Sequence, residues 1–266
     1  MITVSDLYIY PLKSGAAVSL VTCEITATGL ANDRRLAVID ADNKILTGRE
    51  YPKLLGVQAA VTGQVLHLRE KSNKEIDITI SAENNELLDI MLFKNLVQGI
   101  DLGSAAAAWV SNLLSTNCRL VAMLEHHRPL REKDGGQSGD KVNYADTSPI
   151  LLLSEESLAD LNQRLDSPVT MQHFRPNIVV KGCLPYEEDT WQTVEINGCL
   201  FDVHLHCPRC VFITIDPVTQ QKDPNAEPLA TLAKYRKQTN NAVTFGVYLV
   251  PRRLGCVKIG DSVKST

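Results

Sequence analysis

The chain has no excess of positive charge. Its 27 Lys and Arg stand against 31 Asp and Glu, for a formal charge of -4. No global cationic field is therefore available to hold a nucleic-acid polymer or an anionic membrane surface, and neither is expected as a partner. No apolar run approaches the roughly eighteen residues of a spanning helix; the alanines at 105–108 are flanked by polar residues. The amino end, Met1-Ile2-Thr3-Val4-Ser5-Asp6, has neither the basic region nor the apolar core of a secretory signal. A disulfide framework is missing too. The seven cysteines, an odd number, are scattered at 23, 118, 183, 199, 207, 210 and 256, which points to a reducing compartment and an expected cytoplasmic location. What remains is a chain of 266 residues, 44% hydrophobic, long enough for a substantial core in one large domain or two modest ones.

Short β-prone segments dominate. They fall at 4–9, 37–40, 57–61, 65–68, 76–80 and 119–124, separated by Gly, Asn, Asp or Lys turns. Residues 40–44 and 61–64 read as hairpin turns joining neighbouring strands. Residues 102–114 form the first good helix, with Asp101 or Ser104 as its cap. A second helix has Leu158, Leu161 and Leu165 on one face, Ser154 at the cap, and Glu155 and Glu156 in the first turn. Between them, 128–141 combines four basic residues with Gly135, Gly136 and Gly139. This stretch is expected to bury little, either as a mobile surface linker or as a lid over an anionic site. Strands resume at 178–180, 193–196, 199–206, 211–215, 247–250 and 256–259, with a short charged helix at 229–237. Many short strands with few helices predict a mostly β, mixed β/α protein built on a barrel.

Three basic groups and one pair of thiols could carry chemistry. Tyr10-Pro11-Leu12-Lys13-Ser14-Gly15 follows a strand and offers a small anion cradle, without the spacing of a nucleotide-binding P-loop. Asp33-Arg34-Arg35 and Thr47-Gly48-Arg49 could clamp a phosphate or make ordinary ion pairs. In Phe174-Arg175-Pro176-Asn177, the proline restricts the backbone of Arg175. Cys207-Pro208-Arg209-Cys210 places two soft sulfur donors beside a guanidinium that favours thiolate. A redox dithiol normally sits at a helix start, and the apolar residues 211–215 read instead as strand. A zinc site of His204, His206, Cys207 and Cys210 is opposed by strand alternation, which places Cys207 on the other face from both histidines. Trp191 reads as packing.

Six motifs occur in the order found in MOSC-domain proteins, the family named for the carboxyl-terminal domain of molybdenum cofactor sulfurase. They are Tyr10-Pro11-Leu12-Lys13-Ser14, Gly29-Leu30 through Asp33-Arg34, Thr47-Gly48-Arg49, Tyr144 to Pro149, Phe174 to Val180, and Cys207 to Cys210. The chain resembles this family over nearly its whole length, most closely the bacterial YcbX-type proteins and the mitochondrial amidoxime-reducing components. It departs from the family pattern at Gly48, usually alanine, and at Pro208, more often serine.

The resemblance implies an amino-terminal β-barrel-like region over residues 1–125 and a MOSC β-barrel over 126–266, the barrel possibly borrowing part of the preceding segment. It implies a molybdenum–molybdopterin cofactor with Cys210 as the metal ligand and catalytic thiol. Lys13, Ser14, Arg34, Arg49, Asp146, Arg175, Asn177, Pro208 and Arg209 correspond to positions around that cofactor. The wider family also carries an association with pyridoxal phosphate. The implied reaction is two-electron reduction of a small N-hydroxylated compound, and the alternatives are a non-catalytic carrier of cofactor or sulfur and a zinc-binding protein. Some YcbX-type relatives continue into a plant-type ferredoxin domain whose cluster needs four cysteines. Only Cys256 follows Cys210, so no iron–sulfur cluster is expected in this chain, and a separate flavoprotein or ferredoxin is the expected electron donor.

Overall fold

The computed structural model describes residues 1–80, 87–92, 94–123, 127–134 and 136–266. Its centre is an eight-stranded sheet. In spatial order the strands are Val18–Leu20, Thr3–Ile9, Ile178–Lys181, Ile150–Ser154, Val243–Arg253, Cys199–Arg209, Thr193–Ile196 and Val263–Ser265. The two ends meet. Thr3 bridges Ser262, Val4 N donates to Asp261 O at 2.9 Å, and Val263 N donates to Ile2 O at 2.9 Å. Closure removes the open edge and makes a barrel, as the run of short strands predicts.

Alternation along the strands divides two cores. Leu152, Ile178, Val180, Phe201, Val247 and Leu249 fill one, with Trp191 packed among them. Leu153, Val179 and Phe245 face the other way, onto Leu161, Met171, Phe174, Ile213 and Leu232. The Ile150–Ser154 and Ile178–Lys181 strands are parallel, so the chain between them must cross over, and it does so through the Glu155–Asn162 helix. Ser154 caps that helix by accepting from Ser157 N at 3.1 Å.

The amino-terminal half adds a four-stranded sheet, ordered Leu36–Ile39, Arg119–Ala122, Asn95–Asp101 and Leu87–Leu92. A three-stranded sheet of Gln58–Thr62, Val65–Arg69 and Glu75–Thr79 packs with the Gly103–Leu114 helix over a second apolar cluster. Sheet membership does not follow chain order, because the Thr3–Ile9 strand lies inside the large barrel. The fold is mostly β with three short helices among the described residues.

Several local expectations are corrected. Residues 211–215 are not a strand; Val211–Thr214 is a single 3-10 turn, with Ile213 N donating to Cys210 O at 3.2 Å. Its apolar residues do not alternate between two faces. Ile213 and Thr214 are buried together while Val211 is exposed. The 128–141 stretch buries little, as expected, with most of its described residues exposed or half-buried, but it is tied down at points. Arg128–Pro129 pairs with Lys141–Val142, and both Arg128 and Asp134 are buried. The 40–44 turn leads to a lone bridge, Ile39 to Ile45, rather than to a paired strand. Arg119–Ala122 ends before the expected 124, and Leu124 lies outside the described residues.

Candidate active site

The turn that leaves the Thr3–Ile9 strand delivers Lys13 and Ser14. Lys13 N is held by Leu36 O at 2.7 Å, and Ser14 takes a left-handed φ of 65°. The Lys13 ammonium is buried, donates to Tyr144 O at 2.7 Å and pairs with the Asp146 carboxylate. Burial lowers its pKa, against the opposing pull of Asp146. Asp146 is also gripped by Arg49 Nη2 at 3.1 Å. Burial works to raise the Asp146 pKa, but the charge and hydrogen bond of Lys13, with Arg49 and Arg34, outweigh it and hold the carboxyl below its ordinary range.

Arg34 and Arg175 both stand over one ring. The Arg34 guanidinium lies 4.6 Å and that of Arg175 4.1 Å from the centre of Tyr10. Arg34 pairs with buried Asp33 and donates to Asn177 Oδ1 at 3.0 Å and Arg175 O at 3.2 Å. Asp33 Oδ1 in turn accepts from Tyr10 N at 2.8 Å. Arg175 Nη1 donates to Gly15 O at 2.6 Å, whereas its Nη2 is buried with no hydrogen-bond partner among the described residues. Burial pulls the Arg175 pKa down to about 10, so it stays charged near neutrality.

Ser14, Arg34 and Arg175 all have positive φ, at 65°, 48° and 58°. For Arg175 this departs from the extended backbone that a following proline favours. Left-handed backbone at a non-glycine residue costs on the order of 1–3 kcal/mol, and such strain gathers where a site must be held in one shape.

Asn177 is buried, and its amide serves the scaffold. Nδ2 donates to Tyr8 O at 3.1 Å, while Oδ1 accepts from Leu151 N as well as Arg34. Arg209 is likewise a brace. Nε and Nη2 reach Phe245 O at 2.8 and 2.6 Å, and Nη1 reaches Phe174 O at 2.9 Å. Pro208, which has no N–H to give, sits where the Cys199–Arg209 strand shifts register. The two motif thiols differ sharply. Cys207 is buried against Tyr248, and burial pushes its pKa up, whereas Cys210 is exposed at the start of the 3-10 turn.

All ten residues singled out from the sequence line one cleft of about 860 Å³. Sequence reasoning missed the Tyr10 ring, Asp33, Tyr248, Phe212 and Thr47 as parts of this site. Tyr10 and Asp33 were visible inside the motifs, but nothing in their spacing distinguished a ring that meets two cations from ordinary packing. Tyr248 carried only one signal, a polar tip in an otherwise apolar strand.

The cleft suits an anion that carries a soft metal. Five cations, Lys13, Arg34, Arg49, Arg175 and Arg209, surround it against Asp33 and Asp146, and one of them keeps a buried donor without a partner. Cys210 adds an exposed thiol, chemically a soft donor. The zinc set is not assembled. His204 is exposed, His206 Nε2 meets Asp189 O at 3.0 Å, and among the described residues no three His, Cys, Asp or Glu side chains gather to hold a metal.

Comparison with known proteins agrees with this architecture. Residues 139–264 match the MOSC domain and residues 1–117 match the MOSC N-terminal beta barrel domain. The chain is 38% identical to mitochondrial amidoxime reducing component 2 of Bos taurus, covering 98% of this chain and 82% of that one. It is 36% identical to mitochondrial amidoxime-reducing component 1 of Homo sapiens, with the same coverage. Identity to the Danio rerio component 1 is 33%, over 98% of this chain and 83% of that one. These relatives are named as mitochondrial, which overturns the cytoplasmic expectation: scattered thiols speak to redox state and not to an address. The matches lend no support to an association with pyridoxal phosphate. Among the described residues no helix is long and apolar enough to cross a membrane. With both domains matched in order and relatives aligned over nearly all of its length, the chain belongs to the MOSC family, among the amidoxime-reducing components.

Proposed function

We propose that this protein is a molybdenum-dependent reductase of small N-hydroxylated compounds, converting hydroxylamines, amidoximes or N-hydroxylated base analogues to the amine or amidine and water. The balanced change adds two electrons and two protons to R–NH–OH, breaks the N–O bond and yields R–NH2 and H2O. A molybdenum–molybdopterin group would supply oxygen acceptance and two-electron redox chemistry when bound.

The protein's own part is to hold and orient. Cys210 would offer its accessible sulfur to the metal, while Arg175, Lys13, Ser14 and Arg34 would hold the anionic portion. Arg209 and Asn177 act one layer behind, fixing the strand and turn that carry Cys210 and the backbone that carries Arg34. Asp146, held as a carboxylate by Lys13 and Arg49, serves as an acceptor and counter-charge rather than a proton donor at neutral pH. Electrons come from a separate flavoprotein or ferredoxin.

The observation that carries this reading is the meeting of one exposed thiol with a strained, cationic cradle that retains an unpartnered buried donor. Metal analysis of protein made in a host that synthesises the cofactor tests it. Near-stoichiometric molybdenum, lost in Cys210→Ala together with reduction of an N-hydroxylated purine, is the expected result. Stoichiometric zinc without pterin fluorescence after oxidation overturns it.

A further inference from the structure

Gly48 lies so near Phe212 that position 48 has no room for a side chain as the ring now stands. A Cβ built on Gly48 would lie 2.6 Å from Phe212 Cε2, 3.2 Å from its Cζ and 2.6 Å from Leu55 Cδ1. The missing side chain lets the Phe212 ring lie back on the Thr47–Arg49 segment. The ring edge is thereby seated in the wall of the cleft, while the guanidinium of Arg175 stands 5.6 Å from the ring centre. Phe212 is two residues beyond Cys210, on the 3-10 turn whose first hydrogen bond is made by Cys210 O. It is half-buried, so part of its surface remains open to the cleft.

We propose that Phe212 is a specificity-determining residue. Its ring is the wall against which a planar substrate stacks beside Cys210, and Gly48 sets how far back that wall stands. This rests on the reductase reading for its substrate class, since amidoximes and N-hydroxylated bases attached to aromatic rings are flat. The mechanical part follows from unequal freedom. Leu55 is buried in its surroundings, whereas Phe212 borders open space. A methyl group at position 48 therefore displaces Phe212 into the cleft and not Leu55 into the core.

The test compares benzamidoxime with acetamidoxime on the cofactor-loaded protein, with a chemical reductant as electron source. The quantity read is the ratio of the two kcat/KM values, which does not depend on how much cofactor each preparation holds. Gly48→Ala is expected to lower the benzamidoxime preference about fivefold or more, and Phe212→Leu to lower it by a similar factor through loss of stacking. In the Phe212→Leu background, Gly48→Ala should have no further effect, because no ring remains to be displaced. An unchanged ratio in both single variants, or a Gly48→Ala effect that persists in full without the ring, overturns the proposal.

Failure of the reductase reading is seen separately, as wild-type protein that turns over neither amidoxime. In that event calorimetry with benzamidine and acetamidine, which need no turnover, reads the wall directly. Tighter binding of benzamidine that is lost in Phe212→Leu supports it, and equal binding of the two amidines overturns it.

Discussion

Arg34 Nη1 donates to Asn177 Oδ1 at 3.0 Å across 143 positions of chain. Each partner is already committed elsewhere, Arg34 to Asp33 and Asn177 to Leu151 N and Tyr8 O, so the bond joins two networks rather than two residues. Removing Asn177 takes one acceptor from the half-buried Arg34 guanidinium, which keeps Asp33 and Arg175 O, and takes the side-chain acceptor from the buried Leu151 N–H. Asn177→Ala is expected to lower stability by about 2 kcal/mol or more, and Arg34→Ala by a similar amount. In a urea-unfolding double-mutant cycle the two effects should be strongly non-additive. Simple additivity would show that the contact links nothing.

Anion binding and metal ligation should separate in a salt series. Lys13→Ala and Arg175→Ala are expected to release pterin and molybdenum together, and more readily as ionic strength rises, since charge-assisted contacts at a cleft are partly screened. Cys210→Ser should change the molybdenum signal while some pterin stays bound. Pterin and molybdenum measured independently check both expectations. Unchanged occupancy in the two cradle variants returns Lys13 and Arg175 to purely structural roles.

Glu188 gives a pH dependence with a definite sign. It is fully buried, accepts from Ser154 N at 3.2 Å, Ser154 Oγ at 3.0 Å and Ser157 Oγ at 2.8 Å, and burial raises its pKa despite those bonds. The folded state therefore prefers the protonated carboxyl. Its destabilising effect is absent below the ordinary carboxylate pKa and grows as pH rises through the raised folded value. Glu188→Gln removes this titration. Relative to wild type, the variant is expected to gain melting temperature between pH 4 and pH 8; a constant difference across that range contradicts the assignment.

Gly246 is a backbone requirement of the barrel. Its φ is +77°, and an added Cβ would lie 2.7 Å from Leu152 O in the neighbouring strand. The obstacle is main chain and cannot swing away. Gly246→Ala is expected to destabilise by more than about 1 kcal/mol. It should also loosen the adjacent Phe245 carbonyl that Arg209 grips, which thermal unfolding and molybdenum retention can read together.

Much of the site was legible because its residues arrive in short contiguous motifs, each at the end of a strand or inside a turn. The barrel was legible from the density of short strands. What stayed hidden depends on partners far apart in sequence. Nothing near residue 10 announces that its ring will meet both Arg34 and Arg175. Asn177 and Arg209 read as hands toward a ligand but act mainly as braces, because backbone carbonyls from other strands meet them first. The run at 211–215 is apolar enough for a strand, yet Val211–Thr214 closes on itself as a 3-10 turn and Ile215 makes an isolated bridge to Lys222. The basic 128–141 stretch looked solvent-bound because composition does not show that Arg128 donates to Ala145 O at 2.6 Å.

The placement of the Thr3–Ile9 strand between Val18–Leu20 and Ile178–Lys181 has a consequence for biosynthesis. Translation delivers Lys13 and Ser14 early, but the carbonyl of Gly15 waits for Arg175, 160 positions later. The strand bearing Cys210's support, Val243–Arg253, comes later still. A ribosome-bound chain therefore exposes half a cradle with nothing to close it, and a large ligand cannot be captured stepwise as the polypeptide emerges. A large anion would meet the complete cradle only after the whole chain has folded.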